Sequence, residues 1–226
     1  MTDVVRIDLH VHSLHSPDSR LALDEIAGRL PYVGLKGFAI TDHNTVAAHR
    51  DLPALRERFP GLLFVPGVEA STQEGHLLVY GIAEAPPPHR PIAETLSWVE
   101  TRGGVPVLAH PFRWAHGVGS RIAKTAGVAA LESVNGHASA VSNAKAELAA
   151  AQRHLGTTGG SDVHEIADVG RAFTEFTPEI DSVEVLLEAI RRGRTAGRGN
   201  SLRWPGRVRW GIRTGALRIA RGFRSV

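Results

Sequence analysis

The sequence predicts an α/β domain on a mainly parallel sheet, either doubly wound or closed into a barrel, and three observations predict it. Short apolar runs alternate with helix-like segments over the first 190 residues, in the order strand then helix. The 226 residues, 42% of them hydrophobic, are enough for one domain with a substantial core. Finally, ionisable residues recur where the apolar runs end, and in parallel α/β folds the carboxyl ends of strands converge on one rim.

The elements follow in order. "RIDLHVH" places Ile7, Leu9 and Val11 on one face and Asp8, His10 and His12 on the other, so two imidazoles leave a first strand (about 5–9) in the same direction. Further strands are expected at about 37–41, 62–66, 76–81, 105–109, 129–134, 156–160 and 172–176. Helices are expected at 22–33, broken near Pro31, and at 46–58, 91–102, 118–126, 139–154 and 181–193. "EAPPPHRP" (84–91) is too rich in proline for either element and reads as a surface loop. Past Arg191 the composition shifts to Gly, Arg and Trp, which divides the chain into a domain over 1–195 and an extension over 196–226.

Composition narrows the chemistry. The chain has no cysteine, so a metal must be held by imidazole and carboxylate, and nothing indicates an oxidising compartment. "MTDVVRIDL" lacks the basic and apolar regions of a signal peptide, and no apolar stretch has the length to span a bilayer; a cytoplasmic location is expected. The formal charge of +3 hides a segregation: residues 191–226 hold 11 arginines and no acid, leaving residues 1–190 at −8. Such asymmetry points to a tail that docks on the body or meets an anionic partner.

The ionisable residues fall on this pattern with regularity. His10 and His12 end the first strand, Asp42 and His43 ("TDHN") follow the second, and Glu69 ("GVEAS") lies just beyond the third. His76 begins the fourth, His110 ("AHPF") ends the fifth, and Asp162 and His164 ("SDVH") follow the seventh. One histidine at a strand end is ordinarily structural, but a set of this size suits borderline divalent ions such as Zn²⁺, Mn²⁺ or Fe²⁺ better than oxygen-seeking Ca²⁺ or Mg²⁺. With bridging carboxylates it suffices for two or three ions.

In order, His10-x-His12, Asp42-His43, Gly67-Val68-Glu69, Ala109-His110-Pro111 and Ser161-Asp162-x-His164 resemble the motifs of the PHP (polymerase and histidinol phosphatase) metallohydrolase family, over about residues 5–176. The resemblance implies a distorted (β/α)7 TIM-like barrel with a trinuclear phosphoesterase centre on its carboxyl rim, here followed by a basic C-terminal extension. It places His10, His12, Glu69 and Asp162 around one ion, Asp18, His43 and His164 around a second, and His76 and His110 with a bridging Glu69 around a third. Asp42 would orient a ligand or a water from behind. His15 is expected to face solvent, and His49, His89, His116 and His154 to be structural. Many small members carry an Asn-x-Arg after the sixth strand, where "SVNGHAS" has Asn135 and His137; Arg113 is the candidate to replace that cation toward phosphate.

The implied reaction is attack on phosphorus by a metal-activated hydroxide, with a leaving-group proton from His137 or from water. The substrate would be a small phosphorylated metabolite, a nucleotide or an oligonucleotide end, mono- and diesters being equally compatible. The rival reading is a non-catalytic PHP module that binds without turnover, against which stands the complete ligand set. Val208, Ile212, Ala216, Ile219 and Phe223 also recur at helical spacing, so residues 206–224 form an expected amphipathic helix with arginines on its other faces. Docking on the acidic body ranks first for this tail, nucleic acid second and an anionic membrane third. Oligomeric state is left open.

Overall fold

The computed structural model describes residues 4–176, 180–201 and 216. The expected amphipathic helix over 206–224, with Trp204 and Trp210, lies outside these residues apart from Ala216.

Among the described residues nine strands form one sheet: β1 (Val5–Val11), β2 (Gly37–Ile40), β3 (Leu63–Ser71), β4 (His76–Tyr80), β5 (Val105–Leu108), β6 (Ala130–Asn135), β7 (Gly156–Gly160), β8 (Ala172–Phe176) and β9 (Thr195–Gly199). Among the described residues six α-helices connect them: α1 (Leu23–Val33), α2 (Leu52–Arg58), α3 (Ile92–Glu100), α4 (Gly119–Thr125), α5 (Ala140–Gln152) and α6 (Val183–Arg191). The spatial order is β7-β6-β5-β4-β3-β2-β1-β8-β9.

The sheet is mixed rather than mainly parallel. β1, β2 and β3 run parallel, as do β5, β6 and β7, but β4 is antiparallel to both neighbours. β8 and β9, which are linked through α6, add two more antiparallel pairings at the edge of β1. A four-residue connection between β3 and β4 is too short for a crossover helix, so it enforces the reversal. The sheet nearly closes on itself: Val11 bridges Val163, and the Asp162 N–H donates to the His10 carbonyl at 2.8 Å. Gly160 makes this approach possible, because a Cβ there would collide with the Cβ of His10. The expected seven-stranded arrangement is therefore a nine-stranded, barrel-like sheet, and β9 carries it past the expected boundary at 195.

Both sheet faces are covered, which is why the strands read as apolar runs without clean alternation. Ile7, Leu9, Val65, Leu78, Tyr80, Val107 and Phe176 pack with Leu186, Leu187 and Ile190 of α6. Phe38, Ile40 and Phe64 pack with Ile26 and Leu30 of α1 and Leu55 of α2. Leu77, Val79, Leu108 and Leu131 pack with Val99 of α3, Ala123 of α4 and Ala149 of α5. α1 is not broken at Pro31: the ring sits in the last turn, and Gly34, at φ 72°, closes the helix with its N–H on Leu30 and Pro31. α5 and α6 start on side-chain caps from Ser139 and Ser182. Among the described residues no helix is long and apolar enough to cross a membrane.

Candidate metal centre

All nine expected ligands are buried and meet at one rim of the sheet. His10, in β1, and His12, just after it, direct Nε2 to the same Glu69 oxygen, Oε2, at 3.1 and 3.2 Å. Glu69 is not beyond the third strand but inside it. Its upper half pairs with β4 on one side, while on the other the Asn44 N–H donates to the Glu69 carbonyl and His43 forms an isolated bridge with Glu69. That extension brings His43 Nδ1 to 3.3 Å from Oε2, while Oε1 receives His76 Nδ1 at 2.7 Å and His110 Nε2 at 3.0 Å. Five imidazoles thus surround one carboxylate. Because β4 runs in reverse, its first residue, His76, lies at the rim where the other strands end.

A second acidic centre adjoins the first. Asp162 Oδ1 lies 3.2 Å from His12 Nε2 and 3.7 Å from His10 Nε2, while Oδ2 accepts from Arg113 Nη1 at 2.7 Å. Asp18 Oδ2 lies 3.3 Å from His43 Nε2 and 3.2 Å from His164 Nε2. His110 and Asp162 hold positive-φ backbone, at 27° and 56°, a conformation uncommon for residues with a Cβ.

The electrostatics balance locally. Burial disfavours the charge of Glu69, yet His43, His10 and His76 hold it well below the usual carboxylate range; Asp18 and Asp162 are lowered in the same way by their histidines. Burial also disfavours imidazolium, but the carboxylates of Asp162, Glu69 and Asp18 crowded around the ring push His12 up to about 10. For His43 burial prevails and the value falls to about 4.

The residues fit divalent ions. His12 Nε2, His43 Nδ1, His76 Nε2 and His110 Nδ1 are buried without a hydrogen-bond partner, a costly state for polar atoms. Two ligands, each about 2.0–2.2 Å from one tetrahedral ion, lie roughly 3.3 Å apart, which is the spacing between His12 or His43 and Glu69. Five overlapping triads gather ligand atoms: His10-His12-Glu69, His12-Asp18-His43, His43-Glu69-His76, His12-Asp162-His164 and His10-His110-Asp162. They cross the division implied by the resemblance, since His12 joins the Asp18 group and His110 joins Asp162, because Glu69 and Asp162 sit centrally.

Other expected residues are placed as follows. The two carboxylate oxygens of Asp42 accept from the Ser13 N–H and hydroxyl at 2.6 and 2.7 Å and so fix the turn after His12, while its carbonyl accepts from the Glu69 N–H at 3.3 Å. His137 is buried beside His164, its ring edge-on to that one and its Nε2 3.4 Å from Asp168. His15 does not face solvent but is partly buried, 3.4 Å from Asp51. His49 is structural, bonded to Gly67 of β3, and His89 and His154 are exposed. His116 departs from expectation: its ring stacks on His76 at 4.5 Å and 14°.

Sequence reasoning missed Glu132 and Asp8. Glu132 accepts from His10 Nδ1 (2.9 Å), the His110 N–H (2.7 Å) and Asn135 Nδ2 (3.1 Å), holding two ligands from behind. Asp8 Oδ1 accepts from the N–H groups of His10 and Ser161, tying the first motif to the last; burial raises its pKa to about 7. An acid inside each apolar run, "RIDLH" and "AALESV", was the available signal.

A sequence-family model described as PHP-associated matches residues 141–195. No curated protein sequence matches the chain. Among solved structures, PsfC of Pseudomonas syringae PB-5123 aligns with a TM-score of 0.72 at 19% identity, over 96% of this chain and 99% of that one. A candidate metal-dependent phosphoesterase of Bifidobacterium adolescentis aligns at 0.59 and 17% identity, over 89% and 98%. The lesion-specific endonuclease PfuEndoQ of Pyrococcus furiosus aligns at 0.66 and 18% identity, over 86% of this chain and 58% of that one. At these identities the likeness concerns the fold, and with the PHP-associated segment it supports a PHP-domain protein.

Proposed function

We propose that the chain is a metal-dependent phosphoesterase, hydrolysing phosphate mono- or diesters of a small metabolite, a nucleotide or an oligonucleotide end. The observation that carries this reading is the convergence of nine buried His, Asp and Glu side chains with ring nitrogens left without hydrogen bonds. His10, His12, Glu69 and Asp162 would hold one ion, Asp18, His43 and His164 a second, and His76 and His110 with Glu69 a third; Zn²⁺, Mn²⁺ and Fe²⁺ all suit the donor set. Bound ions of this kind supply a hydroxide near neutral pH and neutralise phosphoryl oxygens.

The remaining roles belong to the chain itself. Arg113, paired with Asp162 at 2.7 Å, sets a guanidinium beside the carboxylates, where it holds a phosphoryl oxygen. His137, oriented by Asp168, donates the leaving-group proton. Asp42 keeps the turn after His12 in place through Ser13.

The test is a metal count on protein purified without chelator, joined to a phosphate-release screen over mono- and diesters, with Asp162→Ala as control. Two or three ions per chain, with turnover lost in the variant, support the proposal. Protein that neither retains metal nor turns over any ester after Mn²⁺ addition overturns it in favour of a binding module.

A further inference from the structure

The segment between β5 and α4, residues 109–118, carries three unlike side chains in a short space. Arg113 turns inward to Asp162, and His116 stacks on His76. Between them Trp114 is 100% exposed. The segment is firmly held on both sides: the Arg113 N–H donates to the His110 carbonyl at 2.9 Å, Arg113 Nε to the Ala115 carbonyl at 3.1 Å, and the His76 N–H to the His116 carbonyl at 3.0 Å. Gly117 lets it fold tightly, since a Cβ there would collide with the Arg113 carbonyl. An indole is therefore presented to solvent on a braced backbone, one residue from a cation at the candidate metal centre.

Single exposed apolar side chains are ordinary, but this one has company on the same rim. Leu14 follows His12 by two residues, Ile166 follows His164 by two, and Val141 opens the helix after His137; all are exposed. Half of the exposed large hydrophobics among the described residues thus sit on segments that leave the strand ends at the centre. A phosphate alone has no use for such a surround, and a hydroxylated sugar has less than a flat apolar ring next to the phosphate: aromatic side chains stack on nucleobases whatever the base, and a nearby arginine adds to the attraction.

We infer that Trp114 is a stacking surface for an aromatic ring carried by the substrate close to its phosphate, so that the site selects nucleoside phosphates over sugar phosphates that carry no aromatic ring. This rests on the phosphoesterase reading and names the substrate class and a residue that selects it. Trp114 acts in recognition, and the chemical step lies with the residues beneath it.

The test compares adenosine 5′-monophosphate with ribose 5-phosphate on the metal-loaded full chain, using Trp114→Ala and Trp114→Phe. The ratio of kcat/KM for the nucleotide to that for the sugar phosphate should fall roughly 5- to 100-fold in the alanine variant, mainly through KM, and recover largely with phenylalanine. The melting temperature should hold, since the indole is fully exposed. An unchanged ratio in Trp114→Ala overturns the inference. Should neither ester turn over, the phosphoesterase reading is decided separately by its metal count and wider ester screen. The stacking claim is then decided by calorimetry of the same two ligands: it stands if the nucleotide binds more tightly and loses that advantage in Trp114→Ala, and falls otherwise.

Discussion

Glu132→Gln is the sharpest perturbation of the centre, because it changes a charge and almost no volume. The wild-type carboxylate, 1% exposed, accepts from His10 Nδ1 with Oε1 and from the His110 N–H and Asn135 Nδ2 with Oε2. A carboxylate can only accept, so it keeps a proton on His10 Nδ1 and makes Nε2, the atom facing Glu69 and Asp162, the nitrogen that gives up its proton to an ion. A glutamine has one acceptor and one donor. If its oxygen serves His110 and Asn135, its amide faces His10 Nδ1 and drives the ring proton to Nε2, where no ion can bind. If it turns over, its amide meets the His110 N–H, donor against donor.

Either arrangement costs one charge-assisted hydrogen bond, about 1.5–3 kcal/mol. Outer partners of metal-binding histidines typically account for 10- to 100-fold in affinity, or roughly 1.4–2.7 kcal/mol. The two estimates agree. Competition against a chromophoric chelator should show Glu132→Gln losing one ion per chain by that factor, with the near-ultraviolet circular dichroism preserved. Affinities within twofold of the wild type for every ion would refute the tautomer argument.

Three further outcomes follow from the same geometry. Glu69→Ala leaves five imidazoles without their shared carboxylate and should destabilise the chelated protein by about 3–5 kcal/mol in urea unfolding, beyond its loss of metal. In the chelated protein His12 is raised to about 10, so its contribution is whole below about pH 6.5 and is lost as pH rises toward 10; metal-loaded protein should show the opposite slope, because ions displace ring protons, and thermal melts from pH 7.5 to 10 with and without Mn²⁺ read both. Gly160→Ala, whose Cβ would stand 2.7 Å from the His10 nitrogen, should cost at least about 1–3 kcal/mol and metal affinity together, whereas Gly28→Ala, exposed within α1 with open space around it, should stabilise by about 0.5–1 kcal/mol.

Eight candidate residues were legible in the sequence because they stand at strand ends in short motifs, whereas Asp18, in the loop between β1 and α1, was legible only through the family resemblance; the eight apolar runs were legible because both sheet faces are buried. Strand direction was not. "HLLVY" reads the same either way, and only the four-residue link after Ser71 excludes a parallel crossover. β9 was missed because "TAGRG" has neither apolar periodicity nor β-branched content; it is a strand because β8 offers it an edge. Pro31 misled because a proline within a helical pattern ordinarily ends it, and here the helix was within two residues of ending anyway. Glu132 stayed hidden because its role depends on partners 122 and 22 residues away, and no spacing rule links them.

The centre also shows why fold and ligand set are hard to separate. In the absence of ions, protons do part of their work: His10 and His12 are drawn to the protonated form by Glu69, Asp162 and Glu132, and those charges keep Glu69 and Asp162 ionised in a buried place. Such a cluster tolerates burial only as a near-neutral whole. Removing one carboxylate therefore strands several imidazoles at once, whereas loading divalent ions exchanges positive charge for positive charge and releases protons. The two residues that close the barrel at this point, Gly160 and Asp162, are tied by backbone contacts to His10. Closure of the sheet and assembly of the centre are thus one event, since the edge that joins β1 to β7 is the edge on which His10, His12 and Asp162 meet.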